Sequence, residues 1–242
     1  MKRAALAAVA GLAALATARA APAPVPVAPA DAFHADVARN VGGDAVAVGR
    51  PGAPAPAGAI RFGAGGFDDW LDVEAMRAGA AALSNELAKR RPDAKLSLAL
   101  RLKAFDDGLK PVRAELARLS ANYVGEFVVA ADAHARAFFA KLGAPLKAEL
   151  VDADAFAKAP PGGPDAKTLA GVAQDLQGGA ANLFFYDVEA ASPAIKAFAK
   201  KVAGEGAVVV ALRHTLPAKL DWQGFLLREL RATRGAFNEA AQ

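Results

Sequence analysis

The chain has 242 residues, contains no cysteine and carries 29 basic against 25 acidic residues. Three of the basic residues (Lys2, Arg3 and Arg19) lie in the first twenty positions, which hold no acid, so the rest of the chain has a net charge of only +1. That balance argues against nucleic acid and anionic membrane surfaces as partners. The lack of cysteine excludes disulfides and thiolate metal sites.

Residues 1–20 have the pattern of a secretory signal peptide. A basic start, MKR, precedes the apolar run AALAAVAGLAALAT, and Ala18-Arg19-Ala20 is a small-x-small cleavage site. The apolar run is too short to span a bilayer, and no later run is long enough. We therefore expect cleavage after Ala20 and export to the periplasm, with no membrane anchor, since a lipid anchor needs a cysteine at the cleavage site.

The first half of the mature chain predicts little strand and much helix. Residues 21–30, APAPVPVAPA, contain so many prolines that at most an edge strand is expected there. A short helix follows and stops at Gly42-Gly43, and residues 49–59 are expected to form a loop. Asp72 is a suitable N-cap for the next helix, and regularly spaced apolar residues then predict a long helix through about residue 119 that contains Pro111.

From residue 126 the pattern changes to alternating strands and helices. The runs FVVAA, KAELV, NLFFY and AVVVAL read as strands, and helices are expected between them and after Asp221. This alternation predicts a parallel sheet covered by helices on both faces. Ligands of such sheets bind at the carboxyl ends of the strands, where Asp132 and His134 follow FVVAA and His214 follows AVVVAL.

Six stretches of the chain are informative in their order: AFHADVARNVGGDAVAV, WLDVEAMRAGAAALSNEL, residues 94–119, FVVAADAHARAFFAKLG, NLFFYDVEAASPAIKAFAKKVAGEGAVVVALRHTLP and LDWQGFLLREL. In this order they resemble segments of the periplasmic substrate-binding proteins of zinc/manganese-type metal ABC transporters. The resemblance implies two α/β lobes joined by a long helix, with one metal ion between them. It divides the mature chain into an N-terminal lobe (21–93), a linking helix (94–119) and a C-terminal α/β lobe with a parallel sheet (120–242).

The same resemblance implies that the N-terminal lobe is reduced. Only GRPGAPAPAGAIRFGAGGF separates VGGD from WLD, where the family has several dozen residues that include its first ligand histidine. The other ligand positions are occupied by different residues. Aligned on the family, Asp68 stands at the second position, Asp132 at the third and His214 at the fourth, which is normally acidic.

Each of these residues also has a purely structural interpretation. Asp132 could equally cap the helix that follows it, and it could do both only if cap and metal use different oxygens. Asp68 could belong to a solvated turn, and His214 could be a surface histidine. Two further histidines are secondary metal candidates: His34, which could replace the missing first ligand, and His134, which lies two residues past the third position.

The resemblance implies a monomeric carrier that binds a divalent metal, Zn or Mn, and delivers it to an ABC transporter permease in the inner membrane. The alternative is a diverged paralogue that kept the fold, lost high-affinity metal binding and acts through protein–protein contacts. An enzyme is not expected, because the chain lacks GxSxG, HExxH and GxxxxGK[ST] motifs. Asp132 with His214 could form an acid–base pair, but no recognisable nucleophile accompanies them.

Overall fold

The computed structural model describes residues 22–63, 69–123, 127–146, 149–151, 164–181 and 183–242. The N-terminal unit begins with strand β1 (Val25–Pro29), helix α1 (Ala32–Gly42) and strands β2 (Val46–Val48) and β3 (Ile60–Phe62), followed by helix α2 (Val73–Arg90). Short 3-10 turns cover Gly43–Ala45, Asp69–Leu71 and Pro92–Ala94. The three strands are parallel and lie in the order β2-β1-β3.

Strand β1 lies in the centre of this sheet, so the prediction of at most an edge strand at residues 21–30 is wrong. Its two neighbours cover different parts of it: β2 pairs with Val25–Val27 and β3 pairs with Val27–Pro29. The two pairings overlap only at Val27. Pro26 and Pro29 are therefore each paired on one side only. Proline is excluded from a fully paired central strand because it cannot donate a ladder hydrogen bond, and pairing on one side avoids that loss.

Helix α3 (Lys95–Asn122) connects the two units and runs without interruption past Pro111. The C-terminal unit then alternates strands and helices: β4 (Phe127–Ala130), α4 (Ala133–Leu146), β5 (Glu149–Val151), α5 (Ala166–Gly178), β6 (Leu183–Asp187), α6 (Pro193–Gly204), β7 (Val208–Leu212) and α7 (Trp222–Ala240). Among the described residues the sheet has four parallel strands in the order β5-β4-β6-β7. The parallel sheet predicted from the strand–helix alternation is confirmed.

Two clusters of buried apolar side chains hold the fold together. The larger one runs from β1 and α1 through α2 and α3 to one face of the C-terminal sheet and α7. The smaller one packs the other face of that sheet, through Val129 and Phe184, against α5 and α6. The C-terminal sheet is therefore covered on both faces, which leaves its carboxyl edge as the place where polar side chains can meet. No helix in the described part of the chain is both long and apolar enough to cross a membrane.

Candidate metal site

The carboxyl ends of β6 and β7 bring three potential ligands together. Asp187 is the last residue of β6, Glu189 lies in the turn after it, and His214 follows β7. Among the described residues these three form a group that offers one ligand atom each, all within 4.8 Å of one another. Asp187 is completely buried, whereas Glu189 and His214 are partly exposed. The site is therefore partly accessible to solvent, and the carboxylate of Asp187 forms its buried side.

His214 faces both carboxylates through the same ring nitrogen. Its Nδ1 is hydrogen-bonded to Asp187 Oδ2 and lies 3.6 Å from Glu189 Oε2. The other oxygen of Asp187 accepts hydrogen bonds from the backbone N–H groups of Glu189 and Ala190, at 2.7 and 3.2 Å. Because the turn after β6 is fixed in this way, the Asp187 side chain has a defined orientation toward the imidazole.

Glu189 holds the loop that carries His214. Its Oε2 accepts the backbone N–H groups of His214 and Thr215 at 3.1 and 2.9 Å, and its Oε1 accepts the Thr215 hydroxyl and the Arg213 guanidinium at 2.7 and 3.1 Å. Burial by itself would raise the pKa of Glu189, but the hydrogen bonds from Thr215 and from the backbone of His214 together lower it. The carboxylate is therefore charged, as a metal ligand must be.

Asp132, predicted as the third ligand, lies next to this cluster but is not a member of it. Its Oδ1 accepts the N–H of Ala135 at 2.8 Å and so caps α4. Its Oδ2 accepts the N–H of Asp187 at 2.5 Å and so ties α4 to the end of β6. Both oxygens are used by the protein backbone, and a metal bond to Asp132 would need a second lone pair on one of them.

The other predicted residues lie in different places. Asp68 is outside the described residues. His34, in the first turn of α1, pairs through Nδ1 with Asp31 Oδ2 at 2.8 Å and borders a cavity of about 560 Å³ in the N-terminal unit. His134 is buried beneath the His214 loop, and its ring centre lies 5.9 Å from that of His214. Of the five predicted residues, the structure places His214 in the three-residue cluster.

Asp187 and Glu189 were not predicted from the sequence, although a signal for them exists. They follow NLFFY, the strand that lies between FVVAA and AVVVAL in the sheet, and the strand-end rule applies to it as well. The next residues, Asp187 and Glu189, stand at the same edge as His214 because parallel strands end on the same side.

The fold matches that of known metal-binding proteins, although the sequence identity is low. The periplasmic zinc-binding protein TroA from Treponema pallidum aligns with a TM-score of 0.57 and 13% identity over 90% of this chain and 98% of that one. The substrate-binding protein FpvC from Pseudomonas aeruginosa, solved with Mn²⁺, gives 0.63 and 13% over 89% and 99%. The metal-dependent lipoprotein YcdH from Bacillus subtilis gives 0.66 and 13% over 87% and 98%.

No protein-family model matches the sequence, and no curated protein matches it. The chain nevertheless has the fold of the periplasmic zinc/manganese-type binding proteins, with two α/β units and a long connecting helix. The fold implied by the sequence resemblance is therefore confirmed.

Proposed function

We propose that this chain, which has the fold of periplasmic metal-type solute-binding proteins, binds a divalent metal of the zinc or manganese type and delivers it to an ABC transporter permease. The observation that carries the proposal is the cluster of Asp187, Glu189 and His214 at the carboxyl edge of the C-terminal sheet. Imidazole nitrogen and carboxylate oxygen are ligands for zinc, and carboxylate oxygen also suits manganese. The names of the compared structures describe binding proteins, and the proposed role is likewise binding without catalysis.

The spacing between the ligand atoms of His214 and Glu189 supports this role. Zinc bonds of about 2.0–2.1 Å in a tetrahedral site place neighbouring ligand atoms about 3.4 Å apart. The separation of 3.6 Å between His214 Nδ1 and Glu189 Oε2 is close to that value. His214 Nδ1 and Asp187 Oδ2 are hydrogen-bonded to each other, so a metal bound by both atoms must displace the hydrogen between them.

Three protein ligands leave at least one coordination position for another group. Asp132 and Asp68 stay the predicted further ligands. Asp132 is one hydrogen bond away from the cluster, through the backbone N–H of Asp187. A metal in this position would relieve the repulsion between the carboxylates of Asp187 and Glu189. Without a metal, the hydrogen-bond donors around the two carboxylates offset this repulsion.

Metal titration of the mature protein tests the proposal. The protein is freed of metal by dialysis against a chelator, and thermal unfolding is followed with added Zn²⁺ or Mn²⁺. At a metal concentration of a hundred times the Kd, binding adds about 2.7 kcal/mol of stability, which raises the Tm by about 5–10 °C for a chain of this size. The His214→Ala variant should lose this shift, whereas the control Glu205→Gln, on the exposed end of α6, should keep it.

Two outcomes would contradict the proposal in different ways. A shift that survives in His214→Ala would place the metal at another site. If neither ion shifts the Tm and no metal co-purifies, metal binding is refuted, and the diverged paralogue that acts through protein contacts takes its place.

A further inference from the structure

His134 holds the backbone next to His214 by a hydrogen bond that the sequence did not predict. It is 2% exposed, and its Nε2 lies 3.1 Å from the carbonyl oxygen of Arg213. A carbonyl oxygen can only accept, so Nε2 carries the hydrogen and donates it. The ring also stacks on Trp70, with 5.7 Å between the ring centres, and this contact braces the imidazole from the N-terminal unit.

The peptide group that joins Arg213 to His214 is therefore held at both of its polar ends. Its carbonyl oxygen accepts from His134, and its N–H donates to Glu189 Oε2 at 3.1 Å. A peptide group is planar, so fixing both ends fixes the orientation of the plane. The next peptide group is also held, because the N–H of Thr215 donates to Glu189 Oε2 at 2.9 Å, and together these bonds restrict the direction in which the Cα–Cβ bond of His214 leaves the backbone.

We infer that His134 is a positioning residue for the metal ligand His214 and not itself a ligand. This inference rests on the proposed function and deepens it. His134 donates to the carbonyl oxygen of this peptide group and Glu189 accepts from its N–H, so that His214 Nδ1 is directed at Asp187 before metal arrives. Partners that orient metal ligands in this way change metal affinity by about 10- to 100-fold when they are removed.

A pair of substitutions separates the hydrogen bond from the packing. His134→Phe keeps a flat ring against Trp70 but removes the N–H. His134→Gln places an amide N–H near the position of Nε2 and can restore the hydrogen bond. Tyr123→Phe is the control, because it removes a hydrogen bond to Asn238 elsewhere in the fold.

Two measurements are made on each protein. The first is affinity for Zn²⁺, together with the visible spectrum of bound Co²⁺, which reports the coordination geometry. We expect His134→Phe to weaken Zn²⁺ binding by about 10- to 100-fold and to alter the Co²⁺ spectrum. His134→Gln should stay within about threefold of wild type, and Tyr123→Phe should match it. Equal affinity in His134→Phe and wild type would overturn the inference.

The second measurement is made without metal and does not depend on the proposed function. Amide hydrogen exchange at His214 and Thr215, both of which donate to Glu189, reports how firmly the loop is held. His134→Phe should speed exchange there by about five- to tenfold, and His134→Gln should restore the slow rate. Failure of wild type to bind metal would refute the proposed function alone, whereas unchanged exchange in a folded His134→Phe would refute the positioning role. If His134→Phe does not fold, the same comparison is made with His134→Asn, whose shorter amide cannot reach Arg213.

Discussion

Substitution of Asp132 by alanine should destabilise the protein strongly even in the absence of metal. The carboxylate caps α4 through Ala135, and an N-cap of this kind contributes about 1 kcal/mol. It also accepts the N–H of Asp187, a residue with 0% exposure, and leaving a buried donor unsatisfied costs about 1–3 kcal/mol. Together the loss is about 2–4 kcal/mol in the free energy of unfolding.

A second capping residue provides the matched control. Asp165 caps α5 by accepting the N–H of Thr168 at 2.7 Å, it is exposed, and its backbone partners Lys167 and Thr168 both lie in the first turn of α5. Asp165→Ala should therefore cost only about 1 kcal/mol. Asp132→Asn retains one acceptor oxygen and should lie between wild type and Asp132→Ala.

The assay is thermal unfolding with a chelator present, so that no metal contributes to the difference. For a chain of this size the expected loss for Asp132→Ala corresponds to a fall in Tm of about 5–15 °C. A fall no larger than that of Asp165→Ala would refute the structural role of the second oxygen. It would also free that oxygen for the ligand role predicted from the sequence.

Three further predictions concern the pH dependence and the contact between the two units. The pKa of Glu189 is lower in the folded protein than its ordinary value of 4.5, so the charged carboxylate stabilises the fold at pH values above 4.5, and this stability is lost as the pH falls through the folded-state pKa. Glu189→Gln should therefore be less stable than wild type at neutral pH. Urea unfolding should show that this difference shrinks in acid. Burial penalises the charged form of Glu229 and so raises its pKa above 4.5. Glu229→Gln should therefore be more stable than wild type at neutral pH, and in the same assay it should lose this advantage below pH 4.5. Trp222→Phe removes the N–H that donates to the Trp70 carbonyl at 2.9 Å and should lower the free energy of unfolding by about 1–3 kcal/mol. An unchanged free energy of unfolding would mean that this hydrogen bond between the two units contributes no stability.

Local sequence patterns predicted the helix starts well because each cap is a contact between near neighbours in the chain. Asp72 and Asp221, which precede helices expected from the sequence, accept the N–H three residues later, and Asp165 and Ser192 do the same, as their side-chain chemistry indicates. The end of α4 was less predictable. A glycine at position 143 favours a helix end there, but α4 continues to Leu146, because a glycine inside a helix costs only about 1 kcal/mol.

The candidate site was predicted only in part. His214 was predicted because it follows the strand AVVVAL at the edge of the sheet where ligands bind, and because it aligned with a ligand position of the family. Asp187 and Glu189 were overlooked because their importance depends on which strand lies next to β7, and β6 is that neighbour. No local pattern shows that Glu189 would reach across to residues 213–215.

By itself the sequence determined the alternation of strands and helices, the helix caps and the presence of histidine and acidic residues at strand ends, because these depend on short-range geometry and on the period of apolar residues. Only the tertiary structure decided which partners those residues contact and therefore which roles they have. It made Asp132 a double backbone acceptor, placed His134 beneath a peptide group and brought His214 against two carboxylates from the neighbouring strand end. The physical reason is that hydrogen bonds between residues separated by 25 or more positions depend on strand order and packing, which no local stretch of the sequence encodes.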